Sequence, residues 1–180
     1  MWRRRNGAGS RPTLARPPDR PVATPEVALV LESLAAAPQR LAAFSQGVES
    51  ARLYARPSAE AWSATETLAH LRACADVWGK GIAAMLQREH PTMRYVSPRT
   101  WLRQTDYLGL SFSVSLQAYT HQRAELLQLL RALPAGGWAR GATFTATTKG
   151  REQTVLSYAQ RLAQHEAEHL AEIEILLKAP

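Results

Sequence analysis

Apolar residues recur at helical spacing along most of the chain that follows Pro25. The segment 26–44 is rich in alanine and leucine, and its apolar positions form one stripe, which predicts a first amphipathic helix. We expect Pro38 at a helix start or a kink, because proline lacks the N–H that a helix interior requires. A similar pattern covers residues 110–133 and stops at Pro134, so it predicts another helix.

Two further helices are indicated by a capping motif and by an apolar stripe. Ser63 and Glu66 have the spacing of a capping box, in which each side chain satisfies a backbone N–H of the other residue. A second helix should therefore cover residues 64–87. Apolar positions at helical spacing predict the fourth helix over residues 154–178.

The segments between these helices differ in length and composition. Residues 90–108 contain two prolines and several aromatic residues, which predicts a long connection that could lead to a parallel neighbour. The threonine-rich segment 142–155 contains Gly150 and predicts a short hairpin or an extended loop. The whole pattern predicts an all-α domain of four helices, with a long connection between helices 2 and 3.

The length and composition of the chain fit one domain. Its 180 residues are 46% hydrophobic, which is enough for a single core. There is no stretch of roughly 18 consecutive apolar residues, so we expect no membrane span and no membrane partner. Residues 1–24 are rich in arginine, proline and glycine and lack the apolar core of a secretory signal. They predict a disordered basic tail, followed by the folded domain at 25–180.

The formal net charge of +7 is concentrated in the tail. Six arginines and one aspartate give residues 1–24 a charge of +5, which leaves +2 for the domain. A nearly neutral domain gives no reason to expect a nucleic-acid partner. The single cysteine, Cys74, excludes an internal disulfide framework, and we expect a cytoplasmic protein.

The candidate chemistry lies in three histidines. His165 and His169 are four residues apart in the predicted fourth helix, so both imidazoles project from one face, as in helical metal sites. The same stretch fits the H-E-x-x-H signature of zinc metalloproteases, with Glu166 as the general base. Only eleven residues follow His169 and none is a histidine, which makes the protease interpretation weak. The third ligand must come from upstream, and His70 on the second helix is the candidate.

Residues near these histidines leave alternatives open. Three neutral nitrogens leave a fourth position for water or a substrate thiolate, as in catalytic zinc sites. Cys74 shares the face of His70 and is either a soft fourth ligand or a small buried apolar residue. Glu166 projects about 100 degrees away from His165 and is either a general base, a support for the ligands or a solvated residue.

Other polar and aromatic residues carry weaker expectations. His90 and His121 have polar surroundings and are expected on the surface. Trp101 and Tyr107, in the long connection, are candidates to cover a metal pocket.

Several motifs follow one another in a fixed order along the chain. They are Trp62-Ser-Ala-Thr-Glu-Thr-Leu-Ala-His70-Leu, Trp78 and Ile82, Arg123-Ala-Glu-Leu-Leu, Leu133 with Trp138-Ala-Arg, Gly150-Arg-Glu-Gln-Thr-Val and His165-Glu-Ala-Glu-His169-Leu. Their order and spacing resemble the DinB-like (YfiT-like) family of metalloenzymes. The resemblance covers roughly residues 26–178.

This resemblance implies a four-helix bundle, frequent homodimerisation and a divalent metal ion held by His70, His165 and His169. Zinc, nickel and iron all suit three histidine nitrogens. The implied activity is transfer or hydrolysis on a small molecule, and in some relatives the substrate is a low-molecular-weight thiol such as bacillithiol or mycothiol. Arg123 matches a family arginine that serves either a structural ion pair or substrate contact. The rival interpretations are a non-catalytic metal- or ligand-binding bundle, and a bundle whose histidines are simply buried and hydrogen-bonded.

Overall fold

A computed structural model describes residues 24–146 and 151–178, so residues 1–23 of the predicted tail lie outside the described residues. Its elements are α1 (Pro25–Ser45), α2 (Ser50–Tyr54), α3 (Ala64–Gln87), β1 (Thr92–Arg94), α4 (Pro98–Leu102), α5 (Phe112–Arg131), β2 (Gly141–Thr145), β3 (Arg151–Thr154) and α6 (Val155–Lys178), with 3₁₀ turns at Tyr107–Gly109 and Ala135–Ala139.

Four long helices form the bundle and confirm the predicted fold. Each of α1 and α3 packs against both α5 and α6, so the helices follow one another around the bundle in the order α1, α5, α3, α6. In this arrangement α5 and α6 are diagonal neighbours. The long connection predicted between helices 2 and 3 corresponds to residues 88–111, between α3 and α5.

Local sequence signals account for the helix boundaries. The Oγ of Ser63 accepts the Glu66 N–H at 3.2 Å, and the Glu66 carboxylate accepts the Ser63 N–H at 2.9 Å. This capping box starts α3 at Ala64, as predicted. Pro38, expected at a helix start or a kink, lies inside α1 and is buried.

Helix α1 is long and apolar enough, by length and composition, to cross a membrane, whereas no membrane span was predicted from the sequence. Core helices of soluble proteins have the same length and composition. In the bundle, α1 buries an apolar stripe that includes Val30, Leu34 and Leu41. This stripe packs α1 into the bundle as an amphipathic helix.

A small sheet lies beside the helices. Strand β2 pairs antiparallel with β3, which favours the hairpin over the extended loop predicted for residues 142–155, although Gly150 and the rest of 147–150 lie outside the described residues. Strand β2 also pairs parallel with β1 from the long connection. Phe144 on β2 stacks on Tyr158 of α6 with ring centres 4.8 Å apart. The sheet thereby fixes one end of the connection against the bundle.

Asp76 on α3 holds the rest of the connection. Its carboxylate accepts hydrogen bonds from Trp101 Nε1 at 2.9 Å, from the Tyr107 hydroxyl at 2.7 Å and from Gln122 Nε2 at 2.6 Å. Trp101 and Tyr107 were candidates to cover a metal pocket, and this expectation is wrong because neither lines the cleft beside the histidines. They anchor the connection instead.

Candidate metal centre

Two facing helices supply the candidate site. His70 lies on α3, and Trp78 lies two turns further along the same helix. His165 and His169 lie on α6. The His70 ring contacts the rings of both α6 histidines, whereas the Trp78 ring contacts that of His165. A step forward along α3, from His70 to Trp78, thus corresponds to a step back along α6, from His169 towards His165. The two helices therefore run antiparallel at this point.

The three predicted histidines come together. Their ring centres are 5.3 Å apart for His70 and His165, 5.0 Å for His70 and His169, and 4.5 Å for His165 and His169. The Nε2 atoms of His70 and His165 lie 3.1 Å apart. Two nitrogens on one tetrahedral zinc ion would be separated by about 3.3 Å, so this pair has the spacing that a shared ion requires.

Burial keeps the imidazoles of His70 and His165 neutral. It lowers the pKa of His70 to about 3, with smaller contributions from the charges of His169, His165 and Arg99. Burial also lowers the pKa of His165. The Nδ1 atom of His70 is buried and has no hydrogen-bond partner among the described residues. A neutral ring with a proton on Nδ1 presents its Nε2 lone pair to the cluster, which is the form that binds a metal.

Cys74 lies next to the histidines, as its position one turn after His70 predicted. Its Sγ is 3.4 Å from His70 Nε2, close to the roughly 3.6 Å expected for a sulfur and a nitrogen on one tetrahedral zinc ion. One donor atom each from His70, Cys74 and His165 lie within 4.8 Å of one another. Burial raises the pKa of the Cys74 thiol well above its usual range, so the sulfur carries its proton unless a cation displaces it.

His169 is not part of that compact donor group but is positioned by a carboxylate. Its Nδ1 lies 2.6 Å from an Oε atom of Glu172, one turn further along α6. A ligand histidine commonly donates its second N–H to a carboxylate, which fixes the ring and leaves the other nitrogen for the metal. This role of Glu172 was not predicted from the sequence, although its spacing of three residues from His169 on one helix is a recognisable signal.

Arg123 and Glu166 form a buried ion pair next to the cluster. This contact favours the structural alternative for Arg123. The solvated alternative for Glu166 is wrong, because its side chain is buried. Glu166 does not line the cleft, which leaves the H-E-x-x-H motif without an accessible base.

A solvent-accessible cleft of about 490 Å³ opens beside the histidines. All three line it, together with Trp78, Tyr95, Ser97, Pro98, Arg99, Arg161, Gln164 and Glu168. A second cavity of about 510 Å³ is also lined by Arg99 and His169. His90 and His121 lie outside both cavities, with side chains 57% and 75% exposed, which confirms their predicted surface positions.

A larger cavity of about 810 Å³ lies elsewhere, between the start of α1 and the end of α5. Its walls are mainly apolar and include Leu31, Leu133 and Trp138, but none of the histidines. The cleft beside the histidines is therefore the candidate functional site, despite its smaller volume.

The comparisons with known proteins agree with this fold. The family model of the DinB superfamily matches residues 33–173. Among solved structures, the chain is similar to YfiT from Bacillus subtilis, with 19% identity, a TM-score of 0.75, and coverage of 89% of this chain and 91% of that chain. That protein is described as a probable metal-dependent hydrolase with an unusual four-helix bundle topology. No curated protein matches the chain.

Proposed function

The chain belongs to the DinB superfamily, and on that basis we propose that it is a metal-dependent enzyme acting on a small molecule. The observation that carries this proposal is the pair of neutral His70 and His165 Nε2 atoms, 3.1 Å apart beside an open cleft. A single N–H···N hydrogen bond between neutral rings has a similar length, so the distance alone does not require a cation. The His169 ring and the Cys74 sulfur lie beside the same two nitrogens, and this concentration of donor atoms favours a shared divalent ion.

We assign His70, His165 and His169 as the residues that would hold the ion. Zinc, nickel or iron each suit this set of nitrogens. When bound, such an ion supplies a Lewis acid that activates water or a thiol as a nucleophile. Glu172 orients the His169 ring, and burial keeps the His70 ring in its neutral form at neutral pH.

The favoured reaction is transfer of a low-molecular-weight thiol to an electrophilic small molecule. The protein would hold the electrophile against the aromatic and apolar wall that Trp78, Tyr95 and Pro98 form. Hydrolysis is the second candidate, and it is favoured by the description of the similar YfiT structure as a probable metal-dependent hydrolase.

Cys74 supports a non-catalytic alternative. If its sulfur joined the three histidines, the ion would have four protein ligands and no open position, as in structural zinc sites. The open cleft beside His165 and His169 favours the catalytic proposal over this one.

The proposal includes a cytoplasmic location and a homodimer. A single buried cysteine suits a reducing compartment. Fractionation of cells that express the full chain and light scattering of the purified protein would test these two points.

Metal content tests the proposed function directly. Elemental analysis of tag-free protein should find about one divalent ion per chain, as expected for a three-histidine site. The His165→Ala variant should lose the ion, whereas His121→Ala, which removes an exposed histidine from α5, should keep it. Wild-type protein that is folded, metal-free and unable to take up zinc, nickel or iron would overturn the proposal. A metal-loaded protein can then be screened for turnover with thiol and electrophile pairs and with hydrolysable esters and amides.

A further inference from the structure

Two arginines border the histidine cluster from different elements. Arg161 lies on α6 one turn before His165, and Arg99 lies on α4 in the long connection. Both line the cleft beside the histidines. Arg99 also lines the neighbouring cavity, which it shares with His169. Two positive charges therefore border the cleft beside the proposed metal site.

Each guanidinium is held beside an indole ring. The Cζ of Arg99 lies 5.2 Å from the centre of a Trp62 ring, and the Cζ of Arg161 lies 5.8 Å from that of Trp78. A cation–π contact restricts the arginine while its N–H groups remain able to donate in the guanidinium plane. Both arginines are exposed, so these contacts favour a position beside the ring without fixing it, and the guanidiniums stay accessible to a ligand.

These two guanidiniums have no acceptor within the described part of the chain. Neither donates a hydrogen bond to a described residue or lies within 4.0 Å of a described carboxylate. Nearby carboxylates have other partners: Glu168 accepts from Gln164 at 3.2 Å, and Glu172 lies 2.6 Å from His169 Nδ1. The mouth of the cleft therefore offers donors for an external anion.

We propose that the substrate of this site carries an oxyanion, either a carboxylate or a phosphate, and that Arg99 and Arg161 bind it. The inference rests on the proposed function, because the ion held by the histidines would take the reacting end of the same molecule. The guanidinium fork matches both kinds of oxyanion. Arg99 and Arg161 would then determine substrate specificity, because they favour the binding of anionic over neutral small molecules.

Thiol probes on the cobalt-loaded protein can test this inference. Three probes share a thiol that can bind the ion: 3-mercaptopropionate, 2-mercaptoethylphosphonate and the neutral 3-mercapto-1-propanol. Binding is followed by the thiolate-to-cobalt absorption band at constant ionic strength, after the cobalt content of each variant has been measured. The variants are Arg99→Gln, Arg161→Gln, the double variant and, as a control for net charge, Arg131→Gln at an exposed position on α5.

We expect at least one anionic probe to bind the wild type about tenfold more tightly than the alcohol, the usual size of a charged hydrogen-bond contribution. Tighter binding of 3-mercaptopropionate would identify the substrate group as a carboxylate, and tighter binding of 2-mercaptoethylphosphonate would identify it as a phosphate. Each single arginine variant should lose part of the preference, the double variant should bind all probes alike, and Arg131→Gln should behave as wild type. Metal-loaded wild type that binds all three probes equally, or a double variant that keeps the preference, would overturn this inference alone. Protein that takes up no ion would overturn the proposed function and this inference together.

Discussion

Arg123 of α5 and Glu166 of α6 form an ion pair across the interior of the bundle, with side chains 1% and 2% exposed. These helices are diagonal neighbours, so the pair links two elements that otherwise pack mainly against α1 and α3. Glu166 directly follows His165 along α6. The ion pair therefore fixes the helical turn that presents the candidate ligand.

Removing one charge of this pair should destabilise the protein strongly. In Glu166→Gln the Arg123 guanidinium stays buried without a counter-charge, and we expect a loss of about 3–5 kcal/mol in the free energy of unfolding. The double variant Arg123→Met/Glu166→Leu removes both charges and should recover most of that loss. Urea unfolding of both variants measures the difference, and a Glu166→Gln protein as stable as wild type would show that the buried pair is not required.

The contact between Glu172 and His169 should control metal affinity. Glu172→Ala removes the carboxylate that orients the ring, and we expect metal affinity to fall about 10–100-fold, as is usual for such supporting groups. Glu168→Ala is the matched control, because Glu168 also lies on α6 beside the histidines but bonds to Gln164. Competition with a chelator measures both affinities. Equal affinities for the two variants would argue against His169 as a ligand.

The open and closed forms of the site differ in the role of Cys74. If three histidines hold the ion, the cobalt-loaded protein without added thiol should lack an intense thiolate absorption band, and Cys74→Ala should bind metal within about threefold of wild type. A strong band that disappears in Cys74→Ala would show a sulfur ligand and support the non-catalytic alternative. Circular dichroism of Cys74→Ala would establish that the bundle is intact.

The sequence predicted the long helices well because their signals are local. The capping box of Ser63 and Glu66 lies within four residues, and apolar stripes repeat at each turn. Strand β1 gave no such signal, since Thr92 pairs with Thr143, which is distant in the chain. Its three residues become a strand only through a partner that folding brings alongside.

The same distinction applies to the candidate site. The spacing of His165 and His169 made them visible together, and Arg161 and Glu172 share that helix and could have been recognised by spacing. Arg99 could not have been recognised by spacing, because the connection that carries it reaches the cleft only through tertiary contacts with α3.

Asp76 should determine how firmly the connection is held. Asp76→Ala leaves the donors of Trp101, Tyr107 and Gln122 without their acceptor, and we expect a loss of about 2–4 kcal/mol, since these hydrogen bonds involve a charged group but are only partly buried. Limited proteolysis should cut the variant faster within residues 88–111. Unchanged stability and cleavage would show that the other contacts of the connection, including the β1–β2 pairing and the packing of Leu102, hold it without Asp76.

Alkaline pH should weaken the contact between the Tyr107 hydroxyl and the Asp76 carboxylate. Burial, followed by the hydrogen bond to Asp76, raises the pKa of Tyr107 from 10.0 to about 12. Between these values the unfolded chain loses the Tyr107 proton while the folded chain keeps it, so the stability that this residue contributes is present below about pH 10 and is lost as pH rises towards about 12.

Tyr107→Phe should be less stable than wild type at pH 9 but show a shallower decline from there to pH 11. Urea unfolding at both pH values measures the slopes, with Tyr54→Phe at an exposed position on α2 as the control. A Tyr107→Phe slope as steep as that of wild type would show that other groups cause the alkaline destabilisation.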